Sequence, residues 1–137
     1  MDDPDNPKIE ETWKRVVNIN GRATFFLTRA SMKHLLQQYS PTINIDSCIS
    51  RNPDPGQSIY AGSKELTESL ARCWARELPR KYGCTVNTLA SDPVATKGFV
   101  LAPESVRQDV DSMIQSTPVA SHLAKPEEVA WVVATLC

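Results

Sequence analysis

Two long stretches of the chain repeat their apolar residues at helical spacing. The first predicts a helix over about residues 10–37. Gly21 makes the middle of this helix less stable than Ala would by roughly 1 kcal/mol, so it indicates close packing or a bend. The sequence Ser40-Pro41 ends this helix, because the residue before a proline avoids helical backbone angles. The second stretch predicts a helix over about residues 59–81. The regularly spaced positions are Trp13, Val16, Val17, Asn20, Ala23, Thr24 and Leu27 in the first stretch, and Ala61, Leu66, Leu70, Cys73, Trp74, Glu77 and Leu78 in the second.

Two short runs between and after these helices have the pattern of strands. Residues 42–46 alternate apolar and polar side chains and are β-branched at three positions, which predicts a strand with Ser47 at its C-terminal end. A second strand is predicted over residues 84–90. Proline and glycine predict loops over residues 48–58 and 91–103.

The order of the elements predicts an α/β fold. Further helices are expected over about residues 104–115 and 126–136, so that each strand is followed by a helix. This alternation is typical of a parallel sheet covered by helices. Two strands are few for such a sheet, because parallel strands are normally buried within sheets of several strands. The sequence therefore predicts part of an α/β domain.

Composition and charge narrow the classes of partner. The chain has 137 residues and a net charge of −1, with no tract of Lys or Arg, so we expect no nucleic-acid and no membrane partner. The acidic start of the chain lacks the apolar core of a signal peptide, which predicts a cytoplasmic protein. The four cysteines and two histidines match no ligand spacing, so no metal site is expected.

Candidate chemistry is concentrated around the start of the second long helix. Tyr60 and Lys64 are four residues apart, which places them on one helix face one turn apart, where an ammonium favours the phenolate. Ser47 ends the preceding strand, where open α/β sheets place their ligands. Asn20 lies within the first helix, where an inward amide would need partners from a helix distortion or a water. Each residue alone also fits a structural role at a helix surface, strand end or loop.

Together these residues resemble the short-chain dehydrogenase/reductase family. Ser47 stands thirteen residues before Tyr60, which is the usual spacing in that family. The resemblance runs over nearly the whole chain, and the reductases of fungal secondary metabolism are the most similar. The matching segments are Trp13-Lys14-Arg15-Val16-Val17-Asn18-Ile19-Asn20, Ile43-Asn44-Ile45-Asp46-Ser47, Tyr60-Ala61-Gly62-Ser63-Lys64, Val86-Asn87 and Asp92-Pro93-Val94-Ala95-Thr96.

The resemblance implies a role for four catalytic residues. Tyr60 would be the general acid in carbonyl reduction and the base in alcohol oxidation. Lys64 would lower the pKa of Tyr60, Ser47 would hydrogen-bond the substrate oxygen, and Asn20 would anchor a water in a proton relay. The implied reaction is reduction of a ketone or oxidation of a secondary alcohol.

The resemblance also implies a nicotinamide cofactor, NAD or NADP. Its binding residues would be Asn20, Tyr60, Lys64, Val94 and Thr96, with Lys64 on the nicotinamide ribose and the last two residues near the carboxamide or phosphates. The implied fold is a Rossmann-like, doubly wound parallel sheet. Residues 9–137 match its catalytic half as one incomplete domain, and residues 1–8 are expected to form a frayed N-terminus.

Three features depart from the family pattern. The sequence contains no glycine-rich phosphate-binding turn, so the cofactor-binding strands and the last strand of the sheet are expected to be missing. Ser91-Asp92 stands where the family usually has Pro-Gly, which adds a side chain and a negative charge near the cofactor phosphates. Asp46 stands beside Ser47 where a serine is usual.

Two functional hypotheses remain open. The first is an NAD(P)-dependent oxidoreductase acting on a small apolar carbonyl or alcohol, a substrate class suggested by Phe99, Val100 and Leu101. The second is a truncated, non-catalytic chain that associates with an intact relative. In either case the helices at 10–37 and 59–81 are the expected surface for a homo-oligomer or for a related partner.

Overall fold

The structure is a computed structural model that describes residues 5–34, 40–102, 104, 110–115, 117–118 and 121–137. It divides into two compact units, of which the first comprises Met1–Ala90 with Leu136–Cys137 and the second comprises Ser91–Thr135. Nowhere in the described ranges does the chain form a helix long and apolar enough to cross a membrane.

The first predicted helix is a composite of three segments. Helix α1 (Ile9–Val17) runs into a π-helical turn (Asn18–Ala23), and α2 (Thr24–Ser31) continues from it. The prediction of one regular helix over residues 10–37 is therefore wrong in its middle and over residues 32–34, which form a turn after α2 ends at Ser31. Residues 35–37 lie outside the described residues.

The π-helical turn coincides with close packing at Gly21, as the sequence suggested. A Cβ atom added to Gly21 would lie 2.6 Å from Leu66 Cδ2, so glycine lets this turn approach the second long helix. The Thr67 hydroxyl donates a hydrogen bond to the Asn20 carbonyl at 3.2 Å, which gives the distorted turn a partner from outside its own helix.

The strands and the second long helix form as predicted. Strands β1 (Pro41–Ser47) and β2 (Thr85–Ser91) pair in a parallel sheet that has two strands in the described part of the chain. Between them, a 3₁₀ turn (Cys48–Ser50) and a loop lead into α3 (Ser58–Tyr82). Helix α3 ends at Gly83, whose φ of 66° is the left-handed conformation that glycine adopts without strain.

The core of the first unit lies where α3 packs against β1 and the first helical segments. Phe25 of α2 and Trp74 of α3 bring their ring centroids to 6.2 Å. The buried apolar residues are Met32, Ile49, Ile59, Ala61, Ala71, Trp74 and Cys84. This packing fixes the start of α3 against the C-terminal end of β1, which positions the candidate site.

In its described residues the second unit contains three short helices and one isolated strand pairing. Helices α4 (Lys97–Val100), α5 (Asp111–Gln115) and α6 (Pro126–Thr135) follow β2. The predicted loop over residues 91–103 thus contains a helical turn that the sequence analysis missed. Of the helix predicted over residues 104–115, α5 forms the last part, and residues 105–109 lie outside the described residues.

Candidate active site

Ser47 lies at the junction between β1 and the 3₁₀ turn. Its backbone is still extended, with φ −142° and ψ 145°, and its hydroxyl oxygen accepts a hydrogen bond from the Ile49 N–H at 3.4 Å. The Ser50 hydroxyl donates to the Ser47 carbonyl at 2.8 Å. Ser47 thus caps the turn that follows it, which fixes the direction of its side chain.

Tyr60 lies in the first turn of α3, where the Ser47 side chain is close enough to interact with its phenol. Burial of the phenol raises the pKa of Tyr60 above its ordinary value of 10.0. The interaction with Ser47 opposes that rise, whereas the negative charges of Asp46 and Cys48 add to it. The end of β1 and the start of α3 therefore bring the two predicted hydroxyls together.

Lys64 lies near Tyr60, but its ammonium is hydrogen-bonded to the backbone of β1. Its ammonium donates to the Ile45 carbonyl at 3.0 Å and lies 5.8 Å from the centroid of the Tyr60 ring. Burial lowers the pKa of Lys64, and the charge of Asp46 partly opposes this. The expected lowering of the Tyr60 pKa by Lys64 differs from the structure, in which the Tyr60 pKa is raised and the opposing influence is Ser47.

Asn20 reaches α3 through two small polar residues that the sequence analysis did not select. Its side-chain amide donates to the Ser63 hydroxyl at 2.9 Å, and that hydroxyl donates to the Tyr60 carbonyl at 2.7 Å. Thr67 then binds the Asn20 backbone, as described above. Ser63 and Thr67 are both buried and lie four residues apart on α3. With Tyr60 and Lys64 they form a polar stripe at helical spacing, and this stripe is the sequence signal that could have identified them.

Replacing Ser63 with Ala should therefore destabilise the protein. The change removes the acceptor of a half-buried amide, and leaving such a donor unpaired costs about 1 kcal/mol. Chemical denaturation of Ser63→Ala should show this loss, whereas Ser69→Ala on the exposed side of the same helix should leave the midpoint unchanged. Equal midpoints for the two variants would contradict the proposed anchoring of Asn20.

Val94 and Thr96 belong to the second unit. Val94 forms an isolated parallel bridge with Ala124. Thr96 precedes α4, and its hydroxyl oxygen accepts a hydrogen bond from the Phe99 N–H at 3.3 Å, so it acts as a helix cap. Their assignment as cofactor-binding residues stays a prediction.

Asp46 is the unusual group beside the site. Only 3% of the residue is exposed, and neither carboxylate oxygen has a hydrogen-bond partner of good geometry among the described residues. Burial raises the pKa of Asp46 above its ordinary value of 3.8; the Ser47 N–H and the Lys64 ammonium oppose the rise. The charges of Glu65 and Glu68 reinforce the rise.

Comparisons with known proteins match the chain along most of its length. The family model described as enoyl-(acyl carrier protein) reductase matches residues 8–137. A short-chain dehydrogenase/reductase named FrzI from Cladobotryum sp is 33% identical over 131 residues, which are 93% of this chain and 50% of that protein. The (3R)-3-hydroxyacyl-CoA dehydrogenase of Mus musculus is 36% identical over 129 residues, which are 93% of this chain and 48% of that protein.

A solved structure agrees with these relatives. The crystal structure of a short-chain dehydrogenase from Bacillus anthracis superimposes with a TM-score of 0.75 at 28% identity, covering 91% of this chain and 49% of that one. The chain thus spans about half the length of each of these three proteins. Fold, family model and relatives agree that the chain belongs to the short-chain dehydrogenase/reductase family.

Proposed function

We propose that this chain carries the proton-transfer residues of an NAD(P)-dependent oxidoreductase that reduces a ketone or oxidises a secondary alcohol. The observation that carries the proposal is the meeting of Ser47 and Tyr60 at the junction of β1 and α3, with the Lys64 ammonium 5.8 Å from the centroid of the phenol ring. A phenol beside a second hydroxyl can donate a proton to a carbonyl oxygen while that oxygen is held in place.

Each residue has a defined part in this chemistry. Tyr60 gives its proton to the carbonyl oxygen in reduction and takes the hydroxyl proton in oxidation. Ser47 has one O–H, which donates a hydrogen bond to the same oxygen while the proton is transferred. Asn20, through Ser63, fixes the first turn of α3 by way of the Tyr60 carbonyl. Burial raises the pKa of Tyr60, so the phenol is protonated at neutral pH, as a general acid in carbonyl reduction must be.

A nicotinamide nucleotide fits the described residues at its ribose end. The Lys64 ammonium uses one of its three N–H groups on Ile45, so two remain for the hydroxyls of a sugar. Lys64 also lines a cleft of about 330 Å³ together with Asn20 and Thr67. When bound, the nicotinamide would supply or accept the hydride. Whether this chain favours NAD or NADP rests on groups other than these.

A second candidate is a non-catalytic chain that acts by association. The segment from α1 to α2 favours it, because four large apolar side chains there are half exposed or more: Trp13 at 56%, Ile19 at 61%, Phe26 at 50% and Leu27 at 69%. Association through this segment and α3, with a second copy or an intact relative, would cover them.

Hydride transfer in a chimera separates the two candidates. In the chimera, the first half of the Cladobotryum relative would precede residues 9–137. A ketone would be reduced with NADPH or NADH that carries deuterium on the nicotinamide ring, and the alcohol product would be examined for deuterium at the carbinol carbon. Transfer from the coenzyme to a small apolar ketone is expected. A folded chimera that binds the coenzyme and transfers no deuterium to any ketone in a broad panel would contradict the catalytic proposal and favour association.

A further inference from the structure

The carboxylate of Glu68 contacts side chains from two parts of the first unit: the turn after β1, and α3 itself. Glu68 is one helical turn beyond Lys64 on α3, and only 3% of the residue is exposed. It accepts hydrogen bonds from the Ser50 hydroxyl at 3.2 Å, from Arg51 Nε at 3.0 Å and from a second Arg51 nitrogen, Nη2. Arg72 Nη1 lies 3.2 Å from the same carboxylate.

Three of these contacts come from the turn that begins at Ser47. Ser50 shares its hydroxyl between Glu68 and the Ser47 carbonyl, at 2.8 Å from the latter. Arg51 closes the turn with a backbone bond to the Cys48 carbonyl at 2.9 Å. The carboxylate is therefore connected to the Ser47 backbone through one hydroxyl and one guanidinium.

The same helix carries the partner of Ser47. Tyr60 is two turns before Glu68 on α3, so the turn meets α3 at two places: at Glu68, and next to Tyr60, whose pKa Ser47 lowers. Glu68 therefore adds a charged attachment to the burial of Ile49, which also holds this turn in place.

We propose that Glu68 is a positioning residue that holds the Cys48–Ser50 turn against α3, so that the Ser47 hydroxyl stays on the Tyr60 phenol. This inference rests on the proposed function for its catalytic meaning, but the arrangement it describes is independent of turnover. Glu68 touches neither the phenol nor the site of the reacting carbonyl; it acts through Ser50, Arg51 and the backbone of Ser47.

A positional effect and a charge effect of Glu68 have opposite signs at Tyr60. Removing a negative charge by itself can only favour the phenolate and lower the Tyr60 pKa. We expect release of the turn to act mainly by removing Ser47, the neighbour that lowers this pKa in the intact site. The other charged groups around the carboxylate are Asp46, Glu65, Lys64, Arg51 and Arg72, and all remain in a Glu68→Gln variant.

The experiment is a titration of Tyr60 by ¹⁹F NMR in the chain labelled with 3-fluorotyrosine, whose phenol is more acidic than that of tyrosine. The three tyrosine signals are assigned with Tyr60→Phe. Glu68→Gln is compared with Glu65→Gln, which removes the same charge from the same helix and breaks only the 2.8 Å pair with Arg72. Neither substrate nor cofactor is needed, so failure of the proposed function would not affect the result.

The midpoint of Tyr60 should move to higher pH in Glu68→Gln and stay in place or move lower in Glu65→Gln. An unmoved or lower midpoint in Glu68→Gln would overturn the proposal. If Glu68→Gln does not give the dispersed spectrum of a folded protein, Ser50→Ala is titrated instead. It removes the hydrogen bond between Ser50 and Glu68 and leaves the ion pairs of Glu68 with Arg51 and Arg72. Its Tyr60 midpoint should also rise, and an unchanged midpoint there would overturn the proposal equally.

Discussion

Tyr60→Phe should lower the rate of carbonyl reduction in the chimera by about 10²–10⁴-fold, the usual contribution of a positioned general acid. The substitution removes one oxygen atom and leaves the ring in place at the start of α3, with the Lys64 ammonium still 5.8 Å from its centroid. Because the proton donor is lost while the binding surface is kept, the loss should fall on kcat more than on KM. Steady-state consumption of NAD(P)H measures both.

Tyr82→Phe is the matched control for this prediction. Tyr82 is the last residue of α3, and its side chain is half-buried, far along the helix from the site. Its loss of a hydroxyl should leave the rate unchanged. A Tyr60→Phe chimera that is folded and reduces the ketone at the original rate would remove Tyr60 from the mechanism.

Asp46→Ser should stabilise the protein at neutral pH by about 1–3 kcal/mol, the usual cost of a buried polar group left unpaired. Both carboxylate oxygens of Asp46 lack a well-placed partner among the described residues, and serine has a smaller, uncharged group to bury. The gain should depend on pH. Since burial raises the pKa of Asp46 above 3.8, the folded state is penalised as the pH rises through the folded-state pKa, and the penalty vanishes below 3.8.

Urea denaturation at several pH values measures this difference. The gain from Asp46→Ser should be largest near neutrality and should shrink as the pH approaches 4. Asp54→Ser, in the exposed loop before α3, should show no gain at any pH. A destabilised Asp46→Ser protein at neutral pH would mean that the carboxylate has a favourable partner, and the interpretation of Asp46 as an unpaired charge would be wrong.

Local pattern was sufficient for the elements and for the residues of the reacting centre. The alternation over residues 42–46 and the long amphipathic run before Gly83 predict β1 and α3 to within a residue or two at most ends. The end of a strand and the start of the next helix meet at one edge of an α/β sheet. The sequence alone therefore predicts that Ser47 and Tyr60 lie close together.

What the sequence did not predict depends on contacts between distant residues. The helical stripe assigned to α3 includes Leu66 and Cys73, which are exposed, whereas the polar residues Ser63, Thr67 and Glu68 are buried. Hydrophobicity predicts the opposite order of burial, because the buried polar side chains are stabilised by specific hydrogen-bond partners. These partners are the Asn20 amide, the Asn20 carbonyl and the Arg51 guanidinium. Such partners become visible only when residues more than fifteen positions apart are brought together.

The π-helical turn at Asn18–Ala23 has a consequence for how this chain tolerates insertions and deletions. A π turn contains one more residue than the α-helical turn it replaces, so deleting a single residue there could restore regular hydrogen bonding. Because a π turn and an α turn both complete one revolution, the shortened helix would keep the same side of α1 facing α3. A one-residue deletion in regular α-helix, by contrast, rotates what precedes it by about 100° around the axis. A deletion in this turn that spares Asn20 and Gly21 is therefore expected to be less damaging than one within α2.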